Sequence, residues 1–108
     1  DLDDAEAYLL KALKLKPDCV ECFSNLGSVL MLSEQYSEAI VAFSKFKEAR
    51  PEVPGTYFHL GLAYDHLKDI PNAMSNYQKF LEMDQGKSDV QNFQARERLK
   101  VLKKSRRR

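Results

Sequence analysis

The fold is decided by a pattern that residues 23–46, FSNLGSVLMLSEQYSEAIVAFSKF, share with residues 57–80, YFHLGLAYDHLKDIPNAMSNYQKF. Sliding the chain by 34 positions pairs chemically similar residues: Phe23 with Tyr57, Leu26 with Leu60, Gly27 with Gly61, Ala39 with Ala73, Phe43 with Tyr77 and Phe46 with Phe80. Sliding in the other direction adds Leu2, Ala5, Leu9 and Pro17, so the period covers residues 1 to about 85. A period of this length is typical of repeat architectures, in which supersecondary units stack on one another.

Within one unit the apolar spacing is helical. Leu26, Gly27 and Leu30 follow Phe23 at i+3, i+4 and i+7, and a second stripe begins at Tyr36 after a polar break. This spacing predicts two helices of roughly 13 residues per unit, joined by a short turn. The small residues at Gly27 and Ala39, and at the equivalent Gly61 and Ala73, can let the two helices of a unit approach closely while aromatic side chains fill the space beside them.

The order aromatic, Leu-Gly, Tyr, Ala, aromatic, Pro over 34 residues resembles the tetratricopeptide repeat. It is carried by Phe23, Leu26-Gly27, Ala39, Phe43 and Pro51, and again by Tyr57, Leu60-Gly61, Tyr64, Ala73 and Tyr77, with Gln85 in place of the second proline. The resemblance implies an all-α fold, in which antiparallel helix-turn-helix repeats stack into a right-handed superhelix (an α-solenoid), with about five helices. One domain, 1–108, is expected, in four parts: the second helix of a truncated repeat in 1–19, complete repeats in 20–53 and 54–87, and a C-terminal capping helix with a basic tail in 88–108. Phe46 and Phe80 depart from the family, which usually has a small alanine there.

The capping helix is expected to bury a stripe of Ala95, Leu99 and Leu102. Phe93 and Val101 project from roughly the opposite side of the same helix, so either the helix begins late or this side contacts another surface. The first helix is expected over about Leu2 to Leu15.

In this family the first helices of successive units line a concave surface that holds a protein or peptide. Carried over residue by residue, that surface comprises Glu21, Ser24, Asn25, Ser28 and Met31 from one unit and Phe58, His59, Leu62, Asp65 and His66 from the next. Apolar Met31, Phe58 and Leu62 are expected to be exposed there, and exposed apolar clusters mark binding sites. Some members clamp the carboxyl terminus of heat-shock chaperones; Asn25 matches one clamp residue, but Gly55 and His59 replace basic ones. The expected function is therefore a protein–protein interaction scaffold that is not an enzyme and uses no cofactor.

Charge is distributed unevenly along the chain. The net charge is +1, but residues 1–54, with 6 basic and 10 acidic residues, carry −4, whereas residues 55–108, with 11 and 6, carry +5. The basic tail, Lys103–Arg108, lacks interleaved aromatic residues, so a solvated helix end is favoured over a nucleic-acid site. No apolar run approaches the roughly 20 residues of a membrane span. No membrane insertion and no nucleic-acid partner are expected, and a soluble protein, by default cytoplasmic, is predicted.

Cys19 and Cys22 form a C-x-x-C motif at the start of a predicted helix, where thiol pKa values fall. Structural thiols are favoured, because Cys22 lies opposite Ala12 in the stacking pattern, where a small residue is wanted. A thiol-redox element remains an alternative. A zinc site is not expected, because the two histidines, His59 and His66, stand at i and i+7 on one helix and cannot chelate together.

A structural self-assembly module is the other alternative. The predicted first helix carries Leu2, Tyr8 and Leu10 on its flanks. One side should pack on the next helix, and the other would be uncovered, so a homo-oligomer formed through this helix is expected.

Overall fold

The computed structural model describes residues 1–106, which form six α-helices in that range and no β-strand. The helices are α1 (Leu2–Leu15), α2 (Val20–Leu32), α3 (Tyr36–Ala49), α4 (Pro54–His66), α5 (Ile70–Asp84) and α6 (Asp89–Arg106). The expected count of about five is one too low, since the lone first helix, two helix pairs and the final helix are all separate elements. Arg107 and Arg108 of the basic tail lie outside the described residues, as does the side chain of Arg106. None of the helices over 1–106 has the length and apolar character that a bilayer crossing requires.

The turn inside each helix pair is the same Schellman closure, repeated one period later in the chain. Glu34 and Lys68 adopt left-handed backbone conformations, with φ of 62° and 61°. Gln35 N–H donates to the Leu30 carbonyl at 2.8 Å, and Asp69 N–H donates to the Tyr64 carbonyl at 2.9 Å. These bonds satisfy carbonyls that the end of a helix would otherwise leave unpaired. The polar breaks in the sequence therefore reverse the chain as expected.

The chain divides into two compact units, the first of which spans Asp1–Pro51. Its buried residues come from α2 and α3: Leu26, Gly27, Leu30, Ala39, Ala42, Phe43 and Phe46. The helix α1 packs on α2 but contains no buried residue of its own. A hydrogen bond of 2.9 Å from Gln35 Nε2 to Glu6 Oε1 joins α1 to the turn between α2 and α3.

The second unit begins at Glu52 and contains α4, α5 and α6. All three helices contribute to one apolar cluster: Tyr57, Phe58, Ala73, Met74, Tyr77, Phe80, Ala95, Leu99 and Leu102. The expected buried stripe of α6 is confirmed, since its three residues are all in this cluster. Phe93, which is 60% exposed, and Val101 are exposed, as expected for the opposite side.

The two repeated glycines lie against aromatic rings of the paired helix. A Cβ atom at Gly27 would lie 2.8 Å from ring carbons of Phe43, and one at Gly61 would lie 2.7 Å from Cδ1 of Tyr77. Contacts this short do not occur between relaxed atoms, so only glycine fits beneath each ring. The expectation of close approach is confirmed, and the aromatic side chain lies directly on the glycine.

Candidate functional site

The α2 surface, as we name it, consists of the five α2 residues expected to line a binding groove. Glu21, Asn25 and Ser28 are exposed, and Ser24 and Met31 are half-buried. Ser28 Oγ donates to the Ser24 carbonyl at 3.2 Å, and Glu21 forms an exposed ion pair of 3.2 Å with Arg50. The surface is thus mainly polar, and Met31 is its apolar member.

Phe58 corrects the expected site. Its side chain is only 3% exposed, and its ring centroid lies 5.2 Å from that of Phe80 and 6.3 Å from that of Tyr77. Phe58 therefore belongs to the core of the second unit, because aromatic residues of α5 cover its side of α4. The remaining four predicted residues, which we name the α4 surface, are His59, Leu62, Asp65 and His66; only His66 is fully exposed, and the other three are half-buried.

The two histidines differ in environment. Burial lowers the pKa of His59, so its imidazole is neutral at neutral pH, and its ring meets the edge of Phe58 at 5.7 Å between centroids. His66 is exposed at the end of α4. Residues 1–106 contain no group of three or more His, Cys, Asp or Glu side chains placed to hold a metal ion.

Asp65 is the centre of a polar network between α4, α5 and α6. Its Oδ2 accepts hydrogen bonds from Tyr77 Oη at 2.9 Å and from Arg98 Nε at 2.7 Å, and its Oδ1 accepts from Arg98 Nη2 at 2.8 Å. Burial alone would raise the pKa of Asp65, but the hydrogen bonds from Arg98 and Tyr77 and the charge of Arg98 together hold it below its usual value. Burial and the adjacent carboxylate raise the pKa of Tyr77, which stays protonated as a donor.

A cleft of about 410 Å³ opens beside this network. Its lining residues come from α4, from the following turn and from α6: Leu62, Asp65, His66, Lys68 and Arg98. Neither Lys68 nor Arg98 was among the residues predicted from the sequence. Arg98 follows Asp65 by 33 positions, close to one repeat, but no spacing in the sequence pairs these two side chains, which lie on different helices.

The two cysteines are joined in a disulfide, which corrects the preference for separate structural thiols. Cys19 is the N-cap of α2, in an extended conformation, and Cys22 lies in the first turn of that helix. The N-cap side chain points toward the third helical residue, which is also why capping side chains reach its N–H. This geometry brings the two sulfur atoms together.

The family model for the tetratricopeptide repeat matches residues 1–19 and 54–87. The chain is 35% identical over 81 residues to BBSome complex member BBS4 of Xenopus tropicalis, covering 75% of this chain and 16% of that protein. It is 32% identical over 76 residues to a UDP-N-acetylglucosamine–peptide N-acetylglucosaminyltransferase of Giardia intestinalis, covering 70% and 5%. The chain thus spans less than a fifth of either relative.

Solved structures share the fold over nearly the whole chain. The crystal structure of MamA superimposes with a TM-score of 0.85 and 25% identity, covering 97% of this chain and 58% of MamA. The first tetratricopeptide repeat domain of Spaghetti, solved with an HSP90 peptide, gives a TM-score of 0.85 and 18% identity, covering 99% and 81%. The repeated period of the sequence, the glycine–aromatic contact in each helix pair and the matching family model together show that this all-α helical-repeat chain belongs to the tetratricopeptide repeat family.

Proposed function

We propose that the chain is a non-catalytic scaffold that holds a protein or peptide segment on its α2 and α4 surfaces. The observation that carries the proposal is the repetition of incompletely buried side chains at equivalent positions of α2 and α4, the first helices of the two units. Asn25 and His59, Ser28 and Leu62, and Met31 and Asp65 are each one period apart, and none of the six is fully buried. Each unit therefore presents the same face of its first helix to a protein or peptide segment.

Proteins of similar fold support this proposal. The Spaghetti domain is bound to the HSP90 peptide SRMEEVD, and PcrH, which shares the fold at 18% identity, was solved in complex with the chaperone binding region of PopD. Helical repeats of this type therefore provide surfaces for protein segments. Among the curated relatives, BBS4 is named as a member of a complex, and the anaphase-promoting complex subunit 3 of Dictyostelium discoideum as a subunit.

The proposal is tested by blocking the α2 surface without touching a core. A binding partner is first identified by affinity capture. Because Asn25 and Ser28 are exposed, the double variant Asn25→Arg, Ser28→Arg should preserve the fold. It should lower the affinity for that partner at least tenfold, or by about 1.4 kcal/mol. Ser37→Arg, at an exposed position of α3, is the matched control. Equal affinity for the wild-type chain and the double variant, or equal losses in the double variant and the control, would contradict the proposal.

Self-association is a second candidate, and α1 provides its evidence. Tyr8 is 74% exposed and Leu15 is 78% exposed, and with Lys11 and Ala12 they line a shallow cleft of about 250 Å³. Apolar side chains on one helix face favour association when a second surface covers them. A thiol-redox element is a third candidate, supported by the disulfide between Cys19 and Cys22 at the start of α2.

A further inference from the structure

We infer that the cleft between α4 and α6 is a carboxylate-binding subsite, which takes an acidic residue of a peptide with an apolar residue beside it. This inference rests on the proposed function, since it names the chemistry of the ligand at one end of the α4 surface. Arg98 and Lys68 would contact the carboxylate, and Leu62 would contact the apolar side chain. All the residues involved lie in the second unit.

The guanidinium of Arg98 is already held in place. Its Nε and Nη2 each donate one hydrogen bond to Asp65, which leaves three of its five N–H donors for another group. The Asp65 side chain is only 12% exposed, whereas that of Arg98 is 43% exposed, so the anchored end is inside and the free donors reach solvent. A fixed cation loses little conformational freedom when it binds an anion, and its planar fork suits a carboxylate.

The charge balance of the cleft favours an anion. Asp65 neutralises Arg98, and Lys68 adds a positive charge. Lys68 is exposed, and its side chain has no ion-pair partner among the described residues. The backbone of Lys68 is fixed beside the cleft, because Lys68 is the left-handed residue of the turn that closes α4 and its N–H donates to the Asp65 carbonyl at 3.0 Å. The cleft therefore contains one cation more than it contains anions at neutral pH.

The end of α4 could oppose an anion, because carbonyl groups give a helix C-terminus a partial negative charge. Here the carbonyls of Ala63, Tyr64 and Asp65 accept hydrogen bonds from the N–H groups of the following turn, so they are not free to face the ligand. A full positive charge that donates hydrogen bonds to an anion interacts with it more strongly than these partial charges do. The cations therefore outweigh the helix end.

Leu62 gives the cleft an apolar side, which favours a peptide segment over an isolated anion as the ligand. It is half-buried and packs against the apolar cluster of the second unit, yet it also lines the cleft. The cleft volume lies near the lower end of the range for ligand sites, about 300–1,000 Å³. It suits a carboxylate and a neighbouring apolar side chain. Its cations stand at positions other than Gly55 and His59, where chaperone-clamping members carry theirs.

The test uses three short fluorescent peptides and the full chain. The first has an internal Leu-Glu pair and an amidated C-terminus, the second has Gln in place of Glu, and the third has Gln with a free C-terminal carboxylate. We expect the first peptide to bind at least tenfold more tightly than the second and to shift the Arg98 Nε–H resonance. Tight binding of the third would assign the carboxylate to a chain end, and weak binding would assign it to a side chain; both outcomes support the subsite.

Variants separate this inference from the proposed function. Lys68→Ala and Arg98→Lys should each lower the affinity for the first peptide at least threefold. Lys79→Ala, at an exposed position of α5 outside the cleft, should leave that affinity unchanged. Arg98→Lys keeps the charge beside Asp65, so the fold is retained. Equal binding of the Glu and Gln peptides, or absence of binding up to about 1 mM, would overturn the subsite. Partner binding that is lost in the α2-surface variant but unchanged in both cleft variants would overturn the subsite alone.

Discussion

At the scale of single residues, the glycine beneath each aromatic ring is the strictest requirement of the repeat. Gly61→Val should destabilise the chain by about 2–4 kcal/mol, because a Cβ already meets the ring of Tyr77 at 2.7 Å and two methyl groups must be accommodated beyond it. Gly55→Ala, in the same helix with nothing within 4 Å of its new Cβ, should be neutral or more stable by up to about 1 kcal/mol. Urea unfolding, followed by circular dichroism, measures the free energy of unfolding of both variants. Equal values for Gly61→Val and Gly55→Ala would contradict the glycine–aromatic contact.

Asp65 makes stability depend on pH. Because its pKa in the folded chain is below the unfolded value of about 3.9, its ionised form stabilises the fold above that pH, and this contribution is lost as pH falls through the folded pKa. Asp65→Asn should cost about 1–3 kcal/mol at pH 7, where hydrogen bonds to a charged group are lost. The difference between wild type and variant should shrink as pH falls below about 4. A difference that is constant from pH 7 to pH 3 would contradict this role.

Phe58 shows why single residues of the site were harder to predict than the repeat. The repeat offset locates helices reliably, but it assigns Phe58 the same orientation as Ser24, which is only half-buried in α2. Each unit has a third helix, but α6 contributes buried residues to the core cluster that contains Phe58, whereas α1 contributes none to the first unit. The buried arc of α4 is therefore wider, from Thr56 through Phe58 to Ala63. Period alone cannot predict how many neighbours cover a helix.

At the scale of elements, the sequence predicted α1 and the buried stripe of α6, because apolar spacing and helix signals are local. The pairing of Asp65 with Arg98 was missed, since it depends on the angle at which α6 meets α4. The disulfide was also missed, because a C-x-x-C motif at a helix start is compatible with free thiols and with a bridge. The partner of a side chain on another helix cannot be predicted from local spacing. The same holds for a cysteine pair, which can be either two thiols or a disulfide.

The disulfide should matter most for α1 and the first turn of α2. Cys19 N–H donates to the Lys16 carbonyl at 3.1 Å, so the bridge supports the connection that leads from α1 into α2. Besides this connection, α1 is held by its packing on α2 and by the hydrogen bond from Gln35 to Glu6, without a buried residue of its own. Reduction, or Cys19→Ser with Cys22→Ala, should cost about 1–2 kcal/mol and leave the fold intact.

Hydrogen exchange with and without reductant localises this effect. Amides of α1 and of the start of α2 should exchange faster on reduction, whereas those of α4 to α6 should not change. The double variant should not respond to reductant, which makes it the control. Exchange of α1 that is the same in both redox states would show that the bridge does not support this helix. Loss of partner binding on reduction would favour the thiol-redox candidate.

At the scale of the whole molecule, charge and exposed apolar residues are distributed in a complementary way. The helix α1 exposes Leu2, Tyr8, Leu10 and Leu15 and begins with acidic Asp3 and Asp4. The helix α6 exposes Val90, Phe93 and Val101, and its last turns carry the exposed residues Lys100, Lys103 and Lys104. An α1 from one copy can therefore meet an α6 from another with apolar residues facing each other and opposite charges at one end. Such a contact joins two different surfaces, so it can continue from copy to copy.

Concentration-dependent association of the chain is therefore the last prediction. Burying apolar surface contributes about 25 cal/mol per Å², so a contact that covers about 400 Å² of it gains roughly 10 kcal/mol before the costs of association, which are at least about 4 kcal/mol. The remainder of at most about 6 kcal/mol predicts weak assembly, with a dissociation constant between about 40 μM and 1 mM. Tyr8→Ser with Leu15→Ser, or Phe93→Ser alone, should raise the dissociation constant at least tenfold, whereas Val41→Ser, at an exposed position of α3, should not.

Sedimentation equilibrium measures the dissociation constants of the wild-type chain and the variants. Added salt should weaken the wild-type assembly, because it screens the attraction between lysine and aspartate side chains. A wild-type chain that stays monomeric up to about 1 mM would exclude self-assembly through α1 and leave the α2 and α4 surfaces as the candidate binding sites.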